Sequence, residues 1–155
     1  MKMAKKKQRL YVAYGSNMDV AQMAYRCPDA KLVGRGFLHD WRLMFKGSLT
    51  GSYATIERED GLTVPVVLWK ISPRDEERLD RYEGFPTFYY KTDVKVQTAD
   101  GKTVTGMVYI MHEERTLGCP SRRYYDLLAE AYKVFSFDEK ILEDALRYSI
   151  VLPTA

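Results

Sequence analysis

The first apolar run, Leu10-Tyr11-Val12-Ala13-Tyr14, is rich in β-forming residues and breaks off at Gly15-Ser16-Asn17. Met18, Ala21, Met23, Ala24 and Tyr25 then recur at spacings that predict a helical turn or two, stopped by Cys27-Pro28-Asp29. Over residues 30–45, Leu32, Val33, Phe37, Leu38, Trp41, Leu43 and Phe45 predict two strands or one bent strand. Gly34 and Gly36 mark a bulge or a close backbone approach within it. Residues 53–56 and 64–71 read as further strands separated by a turn at Glu59-Asp60-Gly61, with Pro65 at an edge or strand end.

Ser72-Pro73 opens a helix with Ser as cap, Pro at the first helical position and Asp75 near the third. The helix runs through Glu76, Glu77, Leu79, Asp80 and Tyr82, and Gly84 is a natural terminator. Residues 89–96 and 103–111 flank Asp100-Gly101, the strongest short-range hairpin signal in the chain. Leu127, Leu128, Ala131, Tyr132 and Phe135 then form one helical apolar face. Ser136 with Glu139 fits a capping box for a last helix carrying Ile141, Leu142, Ala145 and Leu146. The order β–α–several β–α–β–β–α–α predicts an α+β fold. It combines a mixed or antiparallel sheet of about six strands, closable as a small barrel, with flanking helices. Strands and helices do not alternate as a doubly wound sheet requires.

The length of 155 residues suits one domain, expected over residues 10–155. The net charge of +3 misleads about partners. Lys2, Lys5, Lys6, Lys7 and Arg9 crowd residues 1–9, read as a solvated, disordered basic tail, and the remaining chain is slightly acidic. Nucleic acid is therefore not an expected partner, and the aromatic residues do not interleave with a basic patch. The apolar run after the tail spans about five residues, too short for a secretory signal, and no stretch approaches the ~20 residues of a membrane span. Cys27 and Cys119 make neither a disulfide framework nor a metal spacing, so a cytoplasmic setting is expected. His39 and His112 lack neighbouring ligands, and His39 reads as structural; no metal is expected. Nucleophile elbow, phosphate-binding glycine loop and dinucleotide fingerprint are all missing.

Two places carry chemistry. A strand that hands over to a helix through Gly15-Ser16-Asn17 gathers unpaired backbone N–H groups, which makes it either an anion cradle or a plain β–α connection. Glu83, in the last turn of its helix, faces the negative end of the dipole, which raises a carboxyl pKa. A raised pKa suits a group that accepts and then returns a proton near neutrality. Residues 113–119, which include Gly118, are a candidate lid.

Tyr14-Gly15-Ser16-Asn17-Met18, Glu83-Gly84 with Tyr89 following, and Pro120-Ser121 with Tyr124 resemble the γ-glutamylcyclotransferase (AIG2-like) family. Arg26-Cys27-Pro28, Trp41-Arg42-Leu43, Ala54-Thr55-Ile56 and the run from Leu79 through Tyr82 to Pro86 resemble its bacterial branch, so the likeness spans residues 10–135. Asn17 is similar to this family rather than to its glutathione-degrading relatives, whose turn usually ends in Leu.

The resemblance implies a small mixed β-barrel flanked by helices, with a cavity at the end of the first strand. It implies cyclisation of a γ-glutamyl amide to 5-oxoproline without a cofactor. Glu83 would be the acid and base, and the N–H groups around Gly15, Ser16, Asn17 and Met18 the substrate cradle. Tyr14 would form a wall, with Tyr89 and Tyr124 beside it. Tyr89 is preferred to Tyr90 when Val94 and Val96 set the register. Strict alternation puts Tyr89 on the face of Lys91 and Asp93, so a bulge or Tyr90 is the other reading. The implied partner is a small γ-glutamyl substrate, and monomer or homodimer stays open. The alternatives are a γ-glutamylamine cyclotransferase, or a non-catalytic relative that binds a metabolite or a protein.

Overall fold

In the computed structural model, which describes residues 8–47 and 51–150, strand β1 (Arg9–Ala13) lies between two others. Its neighbours are β3 (Tyr53–Ile71), antiparallel, and β5 (Thr103–Met111), parallel. Strand β4 (Tyr89–Thr98) pairs with β5 through a hairpin, and touches β2 (Lys31–Gly47) at Gly36 and Phe37. Strand β2 in turn pairs along most of its length with β3. That last pairing closes the order β3-β1-β5-β4-β2 on itself, giving a five-stranded mixed barrel. Barrel closure removes the exposed edges that an open antiparallel sheet would carry. A two-residue strand, β6 (Thr116–Leu117), adds to β2 opposite Lys46 and Gly47.

Four helices complete the fold: α1 (Val20–Arg26), α2 (Pro73–Glu83), α3 (Arg122–Val134) and α4 (Glu139–Ser149). The capping box of α2 forms as the sequence predicts. Ser72 Oγ accepts from Asp75 N–H at 3.1 Å, and the Asp75 carboxylate reaches back to Ser72 N–H at 3.2 Å. Gly84, in the left-handed conformation, ends the helix with bonds from Gly84 N–H to Arg81 O and from Phe85 N–H to Asp80 O.

The structure corrects two expectations and bears on two more. Residues 59–61 are not a turn between two strands. They belong to the continuous strand β3, where residues 59–62 bow out opposite Asp40 alone, and Gly61 N–H donates to Asp40 Oδ1 at 2.9 Å. Ser136 does not cap α4. It takes the left-handed conformation that closes α3, through Ser136 N–H to Lys133 O and Phe137 N–H to Tyr132 O, and Asp138 caps α4 instead. Part of the candidate lid is held to the sheet as β6. Residues 1–7 of the expected tail lie outside the described residues, but Arg9 opens β1 and pairs with Glu76 at 2.9 Å.

Gly34 follows a bulge at Val33, and Gly36 marks a close approach: a Cβ there would meet Val96 Cγ1 at 2.7 Å. The core is aromatic-rich, with Tyr109, Tyr132 and Phe45 among its largest fully buried side chains. His39 is exposed and hydrogen-bonded between Thr63 and Gln97, a structural link between strands. Among the described residues no helix is long and apolar enough to cross a membrane.

Candidate active site

The strand end is fixed first. Buried Tyr14, just beyond β1, donates its hydroxyl to Tyr109 O at 2.6 Å and so ties the end of β1 to β5. Gly15 then opens a single 3-10 turn, Ser16–Met18, closed by Met18 N–H to Gly15 O at 3.0 Å and Asp19 N–H to Ser16 O at 3.1 Å. The N–H groups of Gly15, Ser16 and Asn17 precede the first of these bonds and have no acceptor among the described residues. A Cβ on Gly15 would sit 3.2 Å from the Tyr124 hydroxyl, a tight contact that a side chain here would meet only if its neighbour gave by a few tenths of an ångström.

Asn17 locks the turn in place. Its amide donates to Tyr11 Oη at 3.0 Å and accepts from Arg26, while its carbonyl accepts from Trp69 Nε1 at 2.9 Å. With the side chain thus committed, Asn17 faces outward only through its N–H. Met18 is placed differently: its side chain is fully buried and its N–H is already used, so it supports the turn from below.

Helix α2 brings Glu83 to the same place. Lys91, on β4, pairs with Asp80 at 3.0 Å and Glu76 at 2.8 Å, and Tyr109 donates to Asp80 Oδ1 at 2.6 Å. These contacts fasten α2 over the β4–β5 face. They also explain Tyr89: the β4–β5 register runs without a bulge, and α2 covers the face that Tyr89 shares with Lys91. Tyr89 is buried and donates to Ala54 O at 3.0 Å, whereas Tyr90 turns away to Glu113. Tyr124, at the start of α3, accepts from Ala54 N–H at 3.1 Å.

The result is a cavity of about 380 Å³ whose wall includes Tyr14, Gly15, Ser16, Asn17, Glu83, Tyr89 and Tyr124. Of the residues singled out in the sequence, only Met18 stands outside it. No donor among the described residues bonds to the Glu83 carboxylate, which is half-buried, and its pKa is pushed up to about 7. Burial is the leading cause, and the positive charge of Arg26 pulls the other way. Burial also raises the pKa of Tyr11, Tyr14, Tyr89 and Tyr124, with the Glu83 charge pushing the same way, so these phenols stay protonated near neutral pH. Among the described residues no three His, Cys, Asp or Glu side chains converge as a metal site.

Chemically, the arrangement offers a carboxylate that titrates near neutrality and a row of unpaired N–H groups in the lining of one phenol-rich cavity. The model of the family described as "Gamma-glutamyl cyclotransferase, AIG2-like" matches residues 11–129, which include every one of these residues. The chain belongs to this family. It is similar to human gamma-glutamylcyclotransferase, with 33% identity over 132 residues, covering 80% of this chain and 70% of the human protein. A solved gamma-glutamyl cyclotransferase superposes with a TM-score of 0.78 at 28% identity, over 96% of this chain and 90% of that one. A yeast gamma-glutamyl cyclotransferase specific to glutathione superposes at 0.62 over 96% of this chain and all of its own, but at 11% identity shares only the fold.

Within the cyclotransferase site, sequence reasoning missed Arg26, Tyr82, Tyr11 and Tyr109. The Arg26 guanidinium carbon lies 3.6 Å from the Tyr82 ring centroid, and Nη1 donates to Asn17 Oδ1 and, at 3.4 Å, to Ser16 Oγ. Arg26 ends α1 and Tyr82 lies in the last turn of α2, so only the packing of the two helices brings them together. Tyr11 and Tyr109 stack edge to face at 5.8 Å in the cavity wall. Alternation along their strands was the available signal for these two, but it marks them as core and no more.

Proposed function

We propose that this cyclotransferase-family protein converts a γ-glutamyl amide to 5-oxoproline and releases the amino acid or amine. The observation that carries this reading is Glu83: half-buried, unbonded, titrating near 7, and lining the same cavity as residues 15–17, whose N–H groups are free.

The substrate's α-ammonium is not nucleophilic until it loses a proton. Glu83, ionised, takes that proton, and the freed amine attacks the γ-carbonyl carbon of the same molecule. A C–N bond forms to close the five-membered ring while the oxygen gathers negative charge. The bond to the departing nitrogen then breaks as Glu83 returns the proton to that nitrogen, and the surplus proton of the ring nitrogen passes through the regenerated carboxylate to the departing amine, which leaves as an ammonium. A carboxyl with a pKa near 7 is suited to both transfers, because it is neither too weak a base nor too weak an acid at neutral pH.

The N–H groups of Gly15, Ser16 and Asn17 are placed to hold an anionic group of the substrate or the developing oxyanion. The tyrosine walls restrict the bound molecule, which matters because nucleophile and electrophile share one chain and the main task is to hold a near-attack ring shape. The free thiols of Cys27 and Cys119 suit a reducing, cytoplasmic setting. Incubating the protein with a panel of γ-glutamyl dipeptides and γ-glutamyl amines tests the reading. Equimolar 5-oxoproline and free amine, detected by mass spectrometry, are expected. No product across the panel from folded protein would overturn it.

A further inference from the structure

We propose that a second groove, adjoining the cavity, receives the leaving group, and that Arg123 in its wall pairs with a carboxylate on that group. The assignment rests on the cyclotransferase reading above. The groove, of about 530 Å³, shares Ser16, Tyr82 and Tyr124 with the cavity that holds Glu83. A γ-glutamyl amide has a constant half, which becomes the ring, and a variable half beyond the scissile nitrogen. The constant half needs Glu83 and the N–H row, so the adjoining space is left for the variable half.

The charges in this groove select what it takes. Arg26 is already bonded to Asn17 and stacked on Tyr82, and Asp126 stands 3.7 Å from Arg122. Arg123, exposed at the start of α3, has no carboxylate partner among the described residues. A free guanidinium is matched by a carboxylate, which it can hold with two parallel bonds, and it repels an ammonium. A leaving α-amino acid supplies the carboxylate, whereas a simple amine does not, and a lysine-like amine brings a like charge.

The test compares γ-glutamylalanine with γ-glutamylethylamide, which differ only by the carboxylate of the leaving group. Wild type is expected to favour the first. In Arg123→Ala the ratio of the two kcat/KM values should fall about three- to tenfold, through KM rather than kcat, and Arg123→Lys should restore part of it. A ratio unchanged in Arg123→Ala overturns the assignment. Calorimetric binding of γ-glutamylalanine to Glu83→Gln, with and without Arg123→Ala, reads the same contact without turnover. Weaker binding on loss of Arg123 is expected, and equal binding overturns the groove. Arg123-dependent binding alongside a wild type that releases no 5-oxoproline from any compound of the panel would sink the cyclotransferase reading and leave the groove standing.

Discussion

The Arg26 guanidinium carbon lies 3.6 Å over the centre of the Tyr82 ring, one residue before Glu83, and the same side chain bonds to Asn17 in the turn after β1. One side chain thus joins the turn that carries the N–H row to the helix end that carries the carboxylate. Its charge also opposes the effect of burial on Glu83, which otherwise would hold the proton even more tightly. Replacing Arg26 with Gln removes that opposition. The acidic limb of the kcat/KM profile, set near pH 7 by Glu83, is expected to move to higher pH. A limb that stays in place would separate Arg26 from the titration of the base.

Glu83 carries a cost in stability that depends on pH. Below the pKa of an ordinary carboxyl both folded and unfolded chains hold the proton, and there is no penalty. Between that value and about 7 the folded chain keeps a proton that the unfolded chain releases, so stability falls as pH rises, and above 7 the full penalty remains. Glu83→Gln cannot ionise. Its melting temperature should gain on wild type as pH rises from 4 to 8, by at most about 3 kcal/mol, which corresponds to roughly 6–12 °C. Parallel melting curves across this range would contradict the raised pKa.

Gly15→Ala places a methyl group 3.2 Å from the Tyr124 hydroxyl, which is itself bonded to Ala54 N–H. Tyr124 must move or the turn must shift. We expect a loss of up to about tenfold in kcat/KM, scaled down from the roughly hundredfold that a misplacement of about 1 Å can cost. Near wild-type kinetics in Gly15→Ala would show that the close approach is not needed for function.

Asn17→Ala leaves the buried Tyr11 hydroxyl and the Arg26 guanidinium each short of a partner. Two such losses cost roughly 2–4 kcal/mol. Thermal melting of the variant should show a drop of several degrees, and a melting temperature within a degree of wild type would refute the locking role.

Much of the site was legible in the sequence because its parts are local. The turn after β1 and the end of α2 each declare themselves within a few residues, through Gly15-Ser16-Asn17 and Glu83-Gly84. The raised pKa of Glu83 was also foreseeable, but its leading cause is burial under the packed helices, not the helix end that a one-dimensional reading emphasises. Tyr89 shows the same limit. Alternation assigned it to the polar face of β4, and only the docking of α2 through Lys91 and Asp80 makes that face an interior. Arg26 and Tyr82 met for the same reason, through packing between helices that are distant in sequence.

In the strands, local signals competed. Gly61 with its polar neighbours fits a turn, yet the long β2–β3 pairing absorbs it as a bow opposite Asp40. Ser136 and Glu139 have capping-box spacing, but Asp138 lies next to the helix start and takes the cap, while Ser136 closes the helix before it. Strand β6 has two residues, too few to show any period.

The central claim is that Glu83 moves the proton that drives ring closure. The most direct measurement is 5-oxoproline release by Glu83→Gln beside wild type, on whichever γ-glutamyl amide wild type turns over fastest, with substrate binding measured on both. The account predicts a fall in kcat of about a hundredfold or more, with affinity changed only a few-fold. Turnover near the wild-type rate in a folded Glu83→Gln protein would contradict it.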